Sequence, residues 1–244
     1  LLLLPRLGGL VALAPVFSGR YVAAAKVGLA LVLGMVLLPV VKVPEELPQT
    51  PAGLAVTVGA ELLVGLAMGY ATMLVFTAVQ VAGQMLDMQM GFGIVNVIDP
   101  QFGTPLPLVG NFLQVLALLV FLLMDGHHLV LSALVGSYRA IPLGGGVWRG
   151  DLLGVLTDLF AQMFNTAVAI AVPVLGALFL VNLALGIVSR TLPQMNVFVI
   201  GLPLGIIAGT AVLALALPFL VVVVRQLVEV MGVGLARVVG VIRP

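Results

Sequence analysis

The residues of this chain that could do chemistry are few, and they gather in three places. His127 and His128 are its only histidines, and they directly follow Asp125 and Gly126. Imidazole can ligate a transition metal or carry a proton. Adjacent histidines would still need a third ligand; no histidine lies elsewhere, and no HExxH pattern is present. The plainer reading is a helix start, with Asp125 as N-cap and Gly126 permitting the turn. Residues 141–149, IPLGGGVWR, form the second place. No Lys-Ser/Thr follows the glycines as in a phosphate-binding P-loop, so they read as a flexible connection. The third place is a pair of acids, Glu61 and Asp87, in largely apolar surroundings. A carboxylate in an apolar helix is costly and faces a partner or water. A single carboxylate makes a poor relay, so Glu61 points to an inter-subunit polar contact rather than an ion pathway. The absence of cysteine excludes disulfides, thiolate metal sites and cysteine nucleophiles.

The chain is organised around residues 83–112, GQMLDMQMGFGIVNVIDPQFGTPLPLVGNF. This strip is a poor membrane span. It carries Asp87, Asp99 and several amides, with Gly83, Gly91 and Gly93 ahead of Pro100, Pro105 and Pro107. Lipid tolerates such a backbone only where protein or a water-filled cavity surrounds it. The strip is therefore expected to line or close a passage. Phe102, Leu106 and Leu108 supply apolar bulk, and hydrophobic constrictions can gate by dewetting. Pro100, Gly103, Pro105 and Pro107 keep the segment from becoming a rigid helix. Met85, Met88 and Met90 fit either as gap-filling core or as a soft seal.

The elements that must position this strip are membrane helices. The chain of 244 residues is 62% hydrophobic and 8% charged, with mean hydropathy +1.32. Soluble domains carry about a quarter charged residues. A net charge of +1 leaves no basic footprint for nucleic acid. Residues 1–17 read as a truncated first membrane helix rather than a signal peptide, since no basic residues precede them and Pro5 and Arg6 interrupt them. Residues 22–41 are long enough to cross a bilayer core of ~30 Å. Residues 54–82 follow, with Gly65 and Gly69 spaced for close helix approach. A short helix is expected over 83–97, then helices over 108–124, 129–140 and from 151 onward. Residues 189–196 read as a hinge between two arms, the second being 197–224. Pro173, Pro203 and Pro218 are candidate kinks. Gly201, Gly205 and Gly209 make a ridge for a neighbouring helix. Residues 225–244 read as an amphipathic basic end that favours the cytoplasmic side.

Three blocks carry a family resemblance: GQMLDMQMGFGIVNVIDPQFG, FLLMDGHH and VNLALGIVSRTLPQMNVFVIGLPLG. In this order they resemble the FliR/SctT family of type III secretion export-gate proteins, over about residues 18–224. FVIGLPLG looks more like the flagellar branch than the virulence branch. The resemblance implies an all-α, membrane-associated fold of long kinked hairpins packed in a helical export-gate assembly. It implies a single integral-membrane domain, with residues 1–150 similar to FliP and 151–244 to the FliQ hairpin. It also implies partnership with FliP and FliQ, with FlhB and FlhA of the export apparatus, with unfolded flagellar substrates and with membrane lipid. The family's location is the bacterial inner membrane at the flagellar basal body. A pore plug is implied at Val97, Ile98, Asp99, Pro100, Gln101, Phe102, Gly103, Thr104, Pro105, Leu106, Pro107 and Leu108. Candidate subunit contacts are Glu61, Asp87, Arg190, Gly201, Gly205 and Gly209. No cofactor, metal or catalytic residue is implied.

Two other readings remain. A small secondary transporter would show inverted repeats and a midplane ion site, and no convincing repeat is visible. An intramembrane protease would need a Ser–His pair, two membrane aspartates or a metal motif. A pore for unfolded chains asks no residue for covalent chemistry.

Overall fold

The computed structural model describes residues 2–15, 23–39, 41, 50–93, 107–145, 150–192 and 196–242. Among these residues it forms seven α-helices and no strand, as an all-α chain should. They are α1 (Leu3–Leu13), α2 (Ala23–Leu37), α3 (Pro51–Met90), α4 (Leu108–Leu123), α5 (Gly126–Ala140), α6 (Leu152–Thr191) and α7 (Val197–Ile242). Helices α3, α6 and α7 run for 40, 40 and 46 residues. At the helical rise they reach about 60–69 Å. All three are long and apolar enough to cross a membrane, and α4 and α5 meet the same test as a pair.

The helix ends follow local chemistry, with three departures from the sequence reading. At the start of α3, Thr50 Oγ1 accepts the Gly53 N–H at 3.1 Å. Pro51 fills the first helical position, where its missing N–H costs nothing. The first departure is that α3 passes Gly83 without a break and ends at Met90, so no separate helix begins at 83. Gly83 serves close approach instead: the Gly110 backbone lies where its Cβ would be. Secondly, α7 continues through Pro203, Pro218 and Arg225 to Ile242, and the basic end is the last third of one long helix. Thirdly, Asp125 makes no side-chain cap bond to α5 and adopts left-handed dihedrals, φ 55° and ψ 30°.

The chain divides into two compact units. The first comprises Leu1–Phe76, Phe121–Gln162 and Leu227–Pro244. Here the Gly65–Gly69 pair admits α1. The Arg6 carbonyl occupies the place of a Gly65 Cβ, and a Gly69 Cβ would stand 2.9 Å from the Leu13 Cβ. Gly9 answers from α1, with Leu62 O and Leu66 N each 2.8 Å from its would-be Cβ. Leu7, Leu10, Val64, Met68 and Leu134 are sealed around this crossing. Each such side chain contributes about 1.5–3 kcal/mol by leaving water. Phe76 and Phe121 meet edge to face at 5.3 Å.

The second unit comprises Thr77–Val120 and Met163–Gln226. Its core holds Leu86, Met90, Leu113, Ala171, Val174 and Leu178. The most apolar stretches of the long helices are covered very differently: 67% of that window is buried in α3, against 22% in each of α6 and α7. Phe179, Leu180, Ile207 and Leu215 are among the large side chains left exposed. Apolar surface of this extent marks contact with lipid or with other proteins.

Candidate functional site

Within the first unit, Arg6 and Glu61 are buried at 0% and 2% exposure. Arg6 Nε donates to Glu61 Oε2 at 2.7 Å, and Nη2 donates to Oε1 at 3.0 Å. This is the forked geometry that guanidinium and carboxylate favour. Remaining donors reach Ser137 Oγ at 3.2 Å and the Ile141 carbonyl at 3.3 Å. The Tyr138 ring lies 4.3 Å from the guanidinium carbon, and its hydroxyl donates to the Leu3 carbonyl at 3.0 Å. Glu61 Oε1 also accepts the Gly144 N–H at 3.0 Å. Gly144 takes φ 76°, a left-handed value that suits glycine. One ion pair thus ties α1, α3, α5 and the turn after α5. Glu61's carboxylate is engaged inside its own chain. From sequence, Arg6 reads only as an interruption of an apolar run. The signal that could have found the pair is the cost of each isolated charge, which makes two lone opposite charges mutual candidates.

In the second unit, Asp87 is buried at 5% exposure. Its Oδ1 accepts the Val109 N–H and its Oδ2 the Gly110 N–H, both at 2.9 Å. These amides belong to the first turn of α4, whose N–H groups have no partner within the helix. The carboxylate also meets the positive end of the helix dipole. Asp87 is therefore a remote cap for α4. The Gly83–Gly110 approach lets the two backbones come close enough for it. Between these anchors lie most of the expected plug residues: Val97, Ile98, Asp99, Pro100, Gln101, Phe102, Gly103, Thr104, Pro105 and Leu106 fall outside the described residues. Pro107 accepts the Asn111 N–H at 2.9 Å through its carbonyl, and Leu108 is 63% exposed. At the other end, Gly91 takes φ 92° just after α3.

The glycine ridge of α7 stands in the same unit. Gly209 is closed off by Met90, with Cγ 2.7 Å from a would-be Cβ. Gly201 faces Leu185 at 3.4 Å, and Gly205 meets only the Met90 carbonyl at 3.7 Å. Beside the ridge opens a cleft of about 510 Å³ that includes Met88, Gln89, Asn182 and Gly205. Met88 is 78% exposed, whereas Met90 belongs to the core. Arg190 is exposed in the last turn of α6, where a cation complements the dipole. The geometry organises backbone and packing.

A family model described as "Bacterial export proteins, family 1" matches residues 1–231. Curated relatives carrying the name flagellar biosynthetic protein FliR are similar along most of their length. That of Bacillus subtilis (strain 168) is 39% identical over 216 residues, covering 87% of this chain and 83% of the relative. That of Escherichia coli (strain K12) is 31% identical over 216 residues, covering 88% and 82%. That of Caulobacter vibrioides is 31% identical over 218 residues, covering 88% and 87%.

Proposed function

The chain belongs to the bacterial export proteins, family 1, and from that premise we propose that it is a non-enzymatic core subunit of the flagellar type III protein export gate. It sits in the inner membrane at the flagellar basal body and forms, with FliP and FliQ, the entry portal for unfolded substrates. FlhB and FlhA of the export apparatus are its further partners. Residues 97–108 act as the pore plug. Glu61, Asp87, Arg190, Gly201, Gly205 and Gly209 contribute to subunit packing, the two acids by fixing the elements that meet the partners.

The observation that carries the reading is the Asp87 clamp. The strip that leaves α3 after Met90 returns to α4, whose first turn is held by a residue three positions before the end of α3. A segment whose two ends are tethered to one buried point is suited to occlude a passage. The exposed faces of α6 and α7 support an assembly around it.

The test is a deletion of residues 97–107 in cells that also make the partner subunits. The assembled complex is expected to leak small ions at rest. Wild-type permeability with normal co-purification of FliP and FliQ would remove the plug. Isolation as a partner-free monomer that moves a solute would remove the portal reading itself.

A further inference from the structure

Outside the portal architecture, the turn that opens α5 brings three ligating side chains together. We propose that Asp125, His127 and His128 form a binding site for a borderline transition-metal dication of the Zn²⁺ or Ni²⁺ class. The ligating atoms of the three all lie within 4.8 Å of one another. His128 Nδ1 stands 3.6 Å from Asp125 Oδ1, and the two imidazoles lie 4.3 Å apart with a 36° tilt. Tetrahedral coordination with bonds of 2.0–2.2 Å sets its donors about 3.3 Å apart. The Asp125–His128 pair is already near that value, and rotation of the remaining side chain closes the rest. The third ligand that the histidines lack is the aspartate beside them.

Two independent features single out this turn. Asp125 is the only non-glycine residue with positive φ among the described residues, and its carboxylate gives α5 no cap bond. Such dihedrals cost energy and persist where the surroundings enforce them. The neighbouring Gly126 can carry no side chain, because the Phe121 ring occupies the place of a Cβ. Secondly, His127 Nδ1 is buried without a hydrogen-bond partner. A polar nitrogen so placed has lost its water without a replacement, and a cation is one partner that would satisfy it.

The donor set selects the ion. Imidazole with carboxylate suits zinc, nickel and copper, whereas magnesium and calcium require shells of oxygen. The helix N-terminus opposes a cation with roughly half a charge, and the full negative charge of Asp125 outweighs it. His128 and Asp125 side chains are 71% and 72% exposed, so the open coordination positions face outward. A bound ion cross-ties Asp125 to the first turn of α5 and supplies the restraint that the absent cap does not.

The experiment uses the full chain in detergent, purified without a polyhistidine tag. Zn²⁺ and Ni²⁺ are titrated in competition with a chromophoric chelator. Uptake should saturate at one cation per chain and persist in excess Mg²⁺. His128→Ala and Asp125→Asn, both at exposed side chains, should each weaken it by at least about 10–100-fold, since losing an outer-shell partner alone costs that much. Absence of saturable uptake overturns the proposal, as does uptake unchanged in the Asp125→Asn/His127→Ala/His128→Ala chain. Helix content by circular dichroism separates loss of the site from loss of the fold.

Discussion

Arg6 and Glu61, separated by 55 positions, join through parallel hydrogen bonds of 2.7 and 3.0 Å in a place that water does not reach. Breaking such a pair from one side leaves an uncompensated buried charge, which costs about 3–5 kcal/mol. Arg6→Met alone should therefore lower the melting temperature in detergent sharply. Arg6→Met/Glu61→Met should recover part of the loss, since no charge remains buried. Recovery stays partial because the Gly144 N–H also loses its acceptor. Equal melting temperatures for the single and double variants would show that the two charges are not coupled.

Asp87 offers a separate test, because its bonds are to two specific amides. Hydrogen bonds to a charged group contribute about 1.5–3 kcal/mol each. Asp87→Ala should speed hydrogen exchange at Val109 and Gly110 by roughly tenfold or more, with little change in the turn around Gly144. Exchange at wild-type rates at both amides would dissolve the clamp.

The glycines divide by what lies opposite them. Gly83→Val and Gly65→Val push a side chain into backbone, at Gly110 and Arg6 respectively. Backbone cannot swing aside as a side chain can, so both variants should lose most folded protein. Gly176→Ala has nothing within 4 Å and should be neutral, or gain up to about 1 kcal/mol of helix preference. Fluorescence-detected size exclusion of tagged extracts ranks the three; a normal peak for Gly83→Val would remove the close approach.

Gly205 probes assembly. An added methyl there meets only the Met90 carbonyl at ordinary contact distance, 3.7 Å, so Gly205→Ala should leave the chain folded. Gly205→Leu is expected to block co-purification with FliP and FliQ while the monomer stays helical. An intact complex on a native gel would take this position out of the subunit contacts.

The all-α membrane fold was legible because composition and run length report on it directly. The long helices were cut too short for a physical reason. The cuts were placed at Gly83, a weak helix former, and at Arg225, where charges return, yet each helix runs on through them. The polar sites were half legible. Glu61 and Asp87 stood out as acids in grease, but their partners could not be seen in the chain order. One is an arginine in a distant helix and the other a pair of backbone amides, which leave no trace in side-chain pattern. Asp125 does stand at the N-cap position of α5, as residue type suggested, but with left-handed dihedrals its side chain makes no cap bond.

Helices of 40 and 46 residues face a hydrocarbon slab of only ~30 Å. Half of each greasy rod has nowhere to hide in lipid. Whatever length exceeds the slab must be sheathed by protein or wetted, and on the proposed assembly a copy made without companions is expected to expose sticky flanks to proteases and aggregation. Its abundance in a cell is then expected to follow the supply of neighbours as much as its own gene.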